Sequence, residues 1–212
     1  MPPIYTIPYE RIRSEVEHNK SRFIASLSPI RNSDEARAFI KEVKHEFPDA
    51  SHNVQAYILG GGRNVTDYCS DDGEPSGTAG MPVLTVLRGS GLGDVVVVVT
   101  RYFGGTLLGT GGLVKAYTDA AQEVLKKVIR AERIAVVVTS VILAYPLFDR
   151  MKLLIQKNGG VITSEEFLAD VTITFQIPRE YMAGFAKQAM DLASGKVEIS
   201  EIEETEKLVK LI

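Results

Sequence analysis

The sequence predicts a protein of the α+β class with two domains, at residues 1–133 and 134–212. The first observation is a run of five consecutive valines at residues 95–99. Such a run is typical of a strand buried on both faces, because a half-exposed strand would alternate. The second is the apolar stripe at helical spacing that follows this strand. The third is the pattern after Arg133, where strands and helices follow one another in the order β-α-β-β-α-β.

Composition is that of an ordinary globular protein. The chain has 212 residues, of which 45% are hydrophobic and 24% charged, and its formal net charge is -3. Neither half is strongly basic, so charge alone does not predict a nucleic-acid-binding module. The single cysteine, Cys69, excludes an intrachain disulfide and fits a reducing cytoplasm. No signal peptide and no apolar run of membrane-spanning length is expected, which also favours a cytoplasmic location.

The first domain is predicted to contain strands and helices in alternation. Alternating apolar residues predict strands at 11–17, 23–27 and 53–59. Ser33 is predicted to cap a helix that Pro48 ends. Gly60, Gly61 and Gly62 are expected in a loop or hairpin tip. Residues 81–87 fit a helix or a strand, and Pro82 favours a helix. A long amphipathic helix is predicted after Gly112.

The second domain reads as a ferredoxin-like βαββαβ unit. Strands are predicted at 135–144 and 171–177, with a helix at 148–155 between them. Pro178 is expected to open the second helix, and Gly195 to end it before a last strand that starts near Val197. The acidic run at residues 201–206 is interpreted as a solvated end.

The polar motifs are concentrated at residues 70–117. The valine strand ends in Thr100, Arg101 and Tyr102, which are followed by glycines and the start of a helix. Backbone N–H groups at a helix start favour anions, so this arrangement fits an anion site as well as a tight connection. The glycines match neither the P-loop nor the dinucleotide-binding fingerprint. We therefore expect no nucleotide cofactor of the Walker or Rossmann type, and no other cofactor.

The charged groups around these glycines leave several roles open. Asp71, Asp72 and Glu74 fit a solvated turn, a set of metal ligands or general acid–base groups. Their spacing does not fit an EF-hand loop. Lys115 lies near a helix N-terminus, where a cation opposes the helix dipole. Its ammonium group contacts a ligand, pairs with an acidic neighbour or is simply solvated on the surface of the helix.

Three motifs together resemble the IMPACT/YigZ family in its bacterial two-domain form. They are SDDGEPxGTAG at residues 70–80, VVVTRYFGG at 97–105 and LGxGGLxxAY at 108–117, with His52 and the Ala56-Tyr57 pair upstream. The resemblance implies a first domain like the second domain of ribosomal protein S5 and the fourth domain of elongation factor G. It implies a ferredoxin-like second domain similar to the fifth domain of elongation factor G.

The resemblance implies a cytoplasmic, translation-associated regulatory protein that binds the ribosome, structured RNA or a translation factor. The signature at residues 70–117 is the expected contact surface, which extends to His52. The expected ligand-binding residues are Asp71, Asp72, Glu74, Arg101, Tyr102, Lys115 and His52. One alternative is a metal-dependent hydrolase or peptidase that uses Asp71, Asp72, Glu74 and His52. A second is that the signature is a folding core whose polar residues act as internal caps.

Overall fold

The computed structural model describes residues 5–61 and 64–211. The chain divides into two compact units, Met1–Glu132 with Val209–Ile212, and Arg133–Leu208. Each unit combines a β-sheet with helices, which confirms the α+β class. No helix in the described part of the chain is both long and apolar enough to cross a membrane.

The first unit is built on an antiparallel sheet with helices against both faces. In chain order the elements are β1 (Ile7–Pro8), β2 (Ile12–His18), β3 (Ser21–Pro29), α1 (Ser33–Glu46), β4 (His52–Gly61), β5 (Asn64–Ser70), α2 (Gly80–Ser90), β6 (Val95–Tyr102) and α3 (Gly109–Lys126). The strand order in the sheet is β2-β3-β6-β4-β5.

Strand β6 is the centre of this sheet, as the valine run predicts. It pairs with β3 on one side and β4 on the other, and Val95 to Val99 are all inaccessible to solvent. Alternate valines enter different cores, since successive side chains of a strand point to opposite faces. Val95, Val97 and Val99 pack with the residues of α2 and α3, whereas Val96 and Val98 pack with those of α1.

Several boundaries of the first unit differ from the sequence prediction. The cap of α1 is Asn32 rather than Ser33, because the Asn32 carboxamide oxygen accepts the N–H groups of Asp34 and Glu35. Gly60 and Gly61 belong to β4, and Gly62 lies outside the described residues. Strand β5 was not predicted. The helix predicted after Gly112 already begins at Gly109, so it includes the glycines that were expected to precede it.

The second unit contains the predicted β-α-β-β-α-β order. The elements are β7 (Arg130–Leu143), a short 3-10 helix (Tyr145–Leu147), α4 (Phe148–Lys157), β8 (Val161–Phe167), β9 (Val171–Pro178), α5 (Arg179–Leu192) and β10 (Glu198–Lys210). The strands of the second unit are arranged as β10-β7-β9-β8. Strand β7 begins at Arg130 in the first unit and continues into the second. The acidic run at 201–206 is part of β10, and its carboxylates are exposed, as expected of a solvated segment.

Candidate functional site

Asp71 closes the turn between β5 and α2. Its carboxylate accepts hydrogen bonds from the backbone N–H groups of Gly77 (2.8 Å), Ala79 (3.1 Å) and Gly80 (2.8 Å). Burial alone would raise the pKa of Asp71, but the three hydrogen bonds together hold this pKa below its ordinary value. The negative charge also lies at the N-terminus of α2, where the helix dipole favours it. Asp71 therefore acts as a cap.

Asp72 connects three parts of the first unit. Its backbone has a positive φ of 49°, a conformation that Asp and Asn tolerate better than most residues. Oδ2 of Asp72 accepts a hydrogen bond from the backbone N–H of Asn53, at 2.7 Å, and Oδ1 accepts one from the ammonium group of Lys44 on α1. The carbonyl oxygen of Asp72 lies 2.9 Å from Nδ1 of His52. The acid is thus engaged with β4 and α1.

Glu74 and Arg101 form a buried ion pair. Nη1 of Arg101 lies 2.6 Å from Oε1 of Glu74, and the two side chains are only 7% and 3% exposed. The hydroxyl of Tyr117, on α3, donates to the same carboxylate oxygen at 2.8 Å. Burial, followed by the charge and hydrogen bond of Glu74, raises the pKa of Tyr117 far above its ordinary value, so this hydroxyl stays protonated.

Arg101 is enclosed by aromatic rings as well as by its counterion. The centre of its guanidinium lies 5.5 Å from the ring centroid of Phe23 and 5.7 Å from that of Phe103. Its Nε has no hydrogen-bond partner among the described residues. The sequence placed Arg101 at an exposed strand end. The structure places it inside, because Tyr117 and Glu74 close over the end of β6.

The residues proposed for a metal-dependent hydrolase do not face a common centre. The carboxylate of Asp71 turns to the start of α2, that of Asp72 to α1 and β4, and that of Glu74 to Arg101. His52 is three-quarters buried, and its Nε2 lies 3.8 Å from Oε2 of Glu74. Within residues 5–61 and 64–211, no group of three or more His, Cys, Asp or Glu side chains is arranged to hold a metal ion.

Lys115 lies on the exposed face of α3. Its ammonium group donates to Asp119 at 2.9 Å, one helical turn further along. The same Asp119 oxygen is 3.2 Å from Nε2 of His18, at the end of β2. The sequence left open several roles for Lys115, and the structure shows that it pairs with an acidic neighbour. The lysine nevertheless keeps 70% of its side chain in solvent.

Tyr102 belongs to an exposed surface at the end of β6, which we call the loop surface. We define it as Lys20, Arg22, Tyr102, Phe103 and Leu107. The guanidinium of Arg22 lies 5.6 Å from the ring centroid of Tyr102, its neighbour across the β3–β6 pair. Phe103 is 49% exposed and Leu107 is 86% exposed. These residues combine cations with open aromatic and apolar side chains.

The loop after β6 lies directly against the β2–β3 turn. The N–H of Gly104 donates to the hydroxyl of Ser21 at 3.1 Å. A Cβ at Gly104 would lie 2.1 Å from the carbonyl carbon of Lys20, so no larger residue fits this contact. Lys20, Arg22 and Leu107 were not selected from the sequence. Only the pairing of β3 with β6 brings Arg22 to Tyr102 and the backbone of Lys20 to Gly104. No local sequence signal marks that pairing.

Comparisons with known proteins give consistent matches over both units. Residues 19–125 match the family model described as the Impact N-terminal domain. Residues 141–196 match a domain of unknown function, DUF1949.

Relatives of similar length align with nearly the whole chain. The IMPACT family member YigZ of Escherichia coli (strain K12) is 34% identical over 201 residues, which cover 94% of this chain and 98% of that protein. The IMPACT family member YvyE of Bacillus subtilis (strain 168) is 34% identical over 191 residues, which cover 90% and 88%. A crystal structure of a hypothetical protein has a TM-score of 0.61 and 33% identity, and the alignment covers 96% of this chain and 99% of that chain.

Proposed function

Because the chain belongs to the IMPACT family, we propose that it is a cytoplasmic, translation-associated regulatory protein that binds structured RNA, as found in the ribosome. The family resemblance supports the translation context, since it implies domains like those of a ribosomal protein and an elongation factor. A translation factor is the other partner class that this context suggests. RNA fits the chemistry of the exposed residues better than a protein does.

The loop surface is the observation that carries this proposal. Phe103 and Leu107 stand in solvent although both are large and apolar. Arg22 and Lys20 supply positive charge beside them, and exposed aromatic rings next to cations are the combination that stacks bases and contacts phosphates. The exposed glycines at 105, 109 and 111 leave room for a close approach of an RNA backbone.

The buried Glu74–Arg101 ion pair supports this surface rather than forms part of it. The Glu74–Arg101 pair and the hydroxyl of Tyr117 join the end of β6 to α3, on either side of the loop. A rigid base holds exposed side chains in one arrangement and so lowers the entropy lost on binding. The signature thus combines internal caps, at Asp71, Asp72 and Glu74, with an exposed binding loop.

The strand pairings support the specific domain folds that we propose with this function. In the second unit, the order β10-β7-β9-β8 with two helices fits the ferredoxin-like arrangement. For the first unit we propose an S5 domain 2-like fold on the strength of the family resemblance. Both folds match the translation context.

Co-sedimentation with purified ribosomal subunits and with ribosomal RNA tests the proposed function. Phe103→Ala and Arg22→Ala are expected to weaken RNA binding, by about tenfold for the lost stacking ring. Loss of a phosphate contact at Arg22 lowers the slope of log affinity against log salt by about 1. Lys115→Ala tests the exposed lysine in the same assay.

Matched controls come from the second unit. Phe167 is 51% exposed, like Phe103, and Arg179 pairs with Glu201 on the surface much as Arg22 pairs with Glu15. Phe167→Ala and Arg179→Ala are expected to leave binding unchanged. Salt-sensitive binding that is insensitive to the Phe103 and Arg22 substitutions contradicts the assignment of the surface. Absence of any sedimentation with subunits or RNA contradicts the function.

A further inference from the structure

A groove runs between the neighbouring helices α2 and α3 of the first unit. Its volume is about 870 Å³, which is within the range of small-molecule sites. Each helix lines the groove with residues four positions apart, which lie on one face of a helix. They are Met81, Thr85 and Gly89 of α2, and Val114, Thr118 and Gln122 of α3. The groove therefore follows both helices for about two turns.

Both walls of the groove carry large apolar side chains that remain in solvent. Met81 of α2 is 47% exposed, and Val114 of α3 is 39% exposed. Val86 and Leu125 are partly buried and continue the apolar lining on their respective helices. Water next to such a surface is displaced favourably by an apolar ligand. The middle of the groove thus suits the hydrocarbon part of a small molecule.

Gly89 keeps one wall of the groove open. Glycine is among the least favourable residues within a helix, because it loses the most backbone freedom on folding. Gly89 does not have a positive φ, and a Cβ built on it would meet no neighbouring atom within 4 Å. Neither its backbone conformation nor its packing therefore requires a glycine. Because Gly89 lines the groove, any larger side chain at this position would occupy part of it.

Arg130 supplies the charge of the groove. Its Nη2 donates to the carbonyl oxygen of Ser90, at the end of α2, and its Nη1 donates to the hydroxyl of Thr6. Both partners are neutral, and Arg130 makes no ion pair with any residue that the structure describes. Three of its five N–H groups remain for a ligand. The other lining cation, Lys126, is already paired with Glu123.

The chemistry of the lining therefore changes along the groove, from apolar walls to a single guanidinium. No carboxylate is among the described residues that line it. A guanidinium without a counterion is matched by a carboxylate, which it binds with two parallel hydrogen bonds. The lining comprises thirteen described residues, fewer than the about 20–30 that each side of a standard protein interface contributes. This size favours a small molecule over a helix of a partner protein.

We propose that this groove binds a free amphiphilic carboxylate, a molecule of the fatty-acid type. Its hydrocarbon chain lies between α2 and α3 against Met81 and Val114, passes the open position at Gly89, and its carboxylate accepts hydrogen bonds from Arg130. All of these residues belong to the first unit. The site is separate from the loop surface and does not depend on the proposed function.

Isothermal titration calorimetry on the intact chain tests the site with three probes, each kept below its micelle concentration. Decanoate carries both the chain and the carboxylate, decyltrimethylammonium carries the same chain on a cation, and acetate carries the carboxylate alone. Decanoate is expected to bind about tenfold or more tightly than decyltrimethylammonium, because only decanoate pairs with Arg130. Acetate is expected to give no measurable heat. Equal affinities for the two decyl probes, or no heat with decanoate, overturn the proposal.

Variants connect that binding to this groove. Gly89→Phe fills the groove and is expected to weaken decanoate more than tenfold. Arg130→Gln removes the charge and is expected to abolish the preference for decanoate over decyltrimethylammonium. Val114→Ser is expected to weaken both decyl probes, because each loses apolar contact with α3. Val114 is exposed, so its variant keeps the test valid if another does not fold, as judged by circular dichroism. Decanoate affinity that is unchanged in all folded variants overturns the proposal.

Matched controls lie outside the groove. Gly184 is an exposed glycine within α5, and Arg88 is an exposed arginine of α2 that pairs with Asp67. Gly184→Phe and Arg88→Gln should leave decanoate binding unchanged, and a loss as large as in Gly89→Phe or Arg130→Gln contradicts the assignment to the groove.

A vesicle comparison separates a free ligand from a membrane surface. Binding to vesicles that contain an anionic phospholipid, without binding of free decanoate, overturns the proposal. Phe103→Ala should leave decanoate binding intact, so failure of the proposed function at the loop surface remains distinguishable from failure of this site.

Discussion

The buried ion pair makes a quantitative prediction for Glu74→Gln. The substitution keeps the shape of the side chain and an oxygen that can accept from Tyr117, but it removes the negative charge. The Arg101 side chain is only 7% exposed, so a buried cation is left without its counterion. Breaking such a pair from one side typically costs about 3–5 kcal/mol. We expect a loss of that size in the stability of the first unit.

Native-state hydrogen exchange at the amides of β6 is the suitable assay, since it reports the opening of the first unit alone. Glu42→Gln is the matched control. Glu42 pairs with Arg11 at 2.7 Å, but both side chains are more than half exposed, and the expected cost is below about 1 kcal/mol. A Glu74→Gln variant that is no less stable than Glu42→Gln would refute the assignment of this pair as a buried clamp.

The remaining predictions concern other contacts of the signature. Gly104→Ala is expected to destabilise the first unit by about 1–3 kcal/mol and to weaken RNA sedimentation, since the new Cβ would lie 2.1 Å from the backbone of Lys20. A Gly104→Ala protein with wild-type stability contradicts that contact. Tyr117→Phe should cost about 1–2 kcal/mol in denaturant unfolding because Glu74 loses a donor, and an unchanged midpoint would be inconsistent with the bond. Asp71 has a lowered pKa, so its stabilising effect is complete above its ordinary value of 3.8 and is lost as pH falls through the lowered folded-state pKa. Asp71→Asn should therefore flatten the acid limb of a stability–pH profile, and an unaltered limb would count against the cap.

Much of the fold follows from local pattern. The valine run identified the central strand, and apolar stripes identified α1 and α3, because periodicity reflects which face is buried. Strand β5 was missed although a loop or hairpin tip was expected before it, because its polar and apolar residues do not alternate; its pairing with β4 is visible only in three dimensions. Asn32 was missed as a cap because Ser33 beside it is an equally good candidate by residue type.

The sequence predicted which residues lie at the candidate site, but not whether their side chains point inward or into solvent. The signature identified Glu74, Arg101 and Tyr102, yet two of these point inward and only the third reaches the surface. Whether a charged group at a strand end faces solvent depends on what covers it. Here the covering residue, Tyr117, is 43 positions from Glu74 along the chain. Contacts of that separation follow from packing, and sequence pattern does not encode them.

Photocrosslinking of the protein to ribosomal RNA, with the crosslinked peptides mapped by mass spectrometry, tests the central claim most directly. Our account predicts crosslinks at Tyr102, the last residue of β6, or at Phe103 in the exposed loop that follows, next to the buried Glu74–Arg101 pair. Crosslinks confined to the second unit, or an absence of RNA crosslinks altogether, would contradict it.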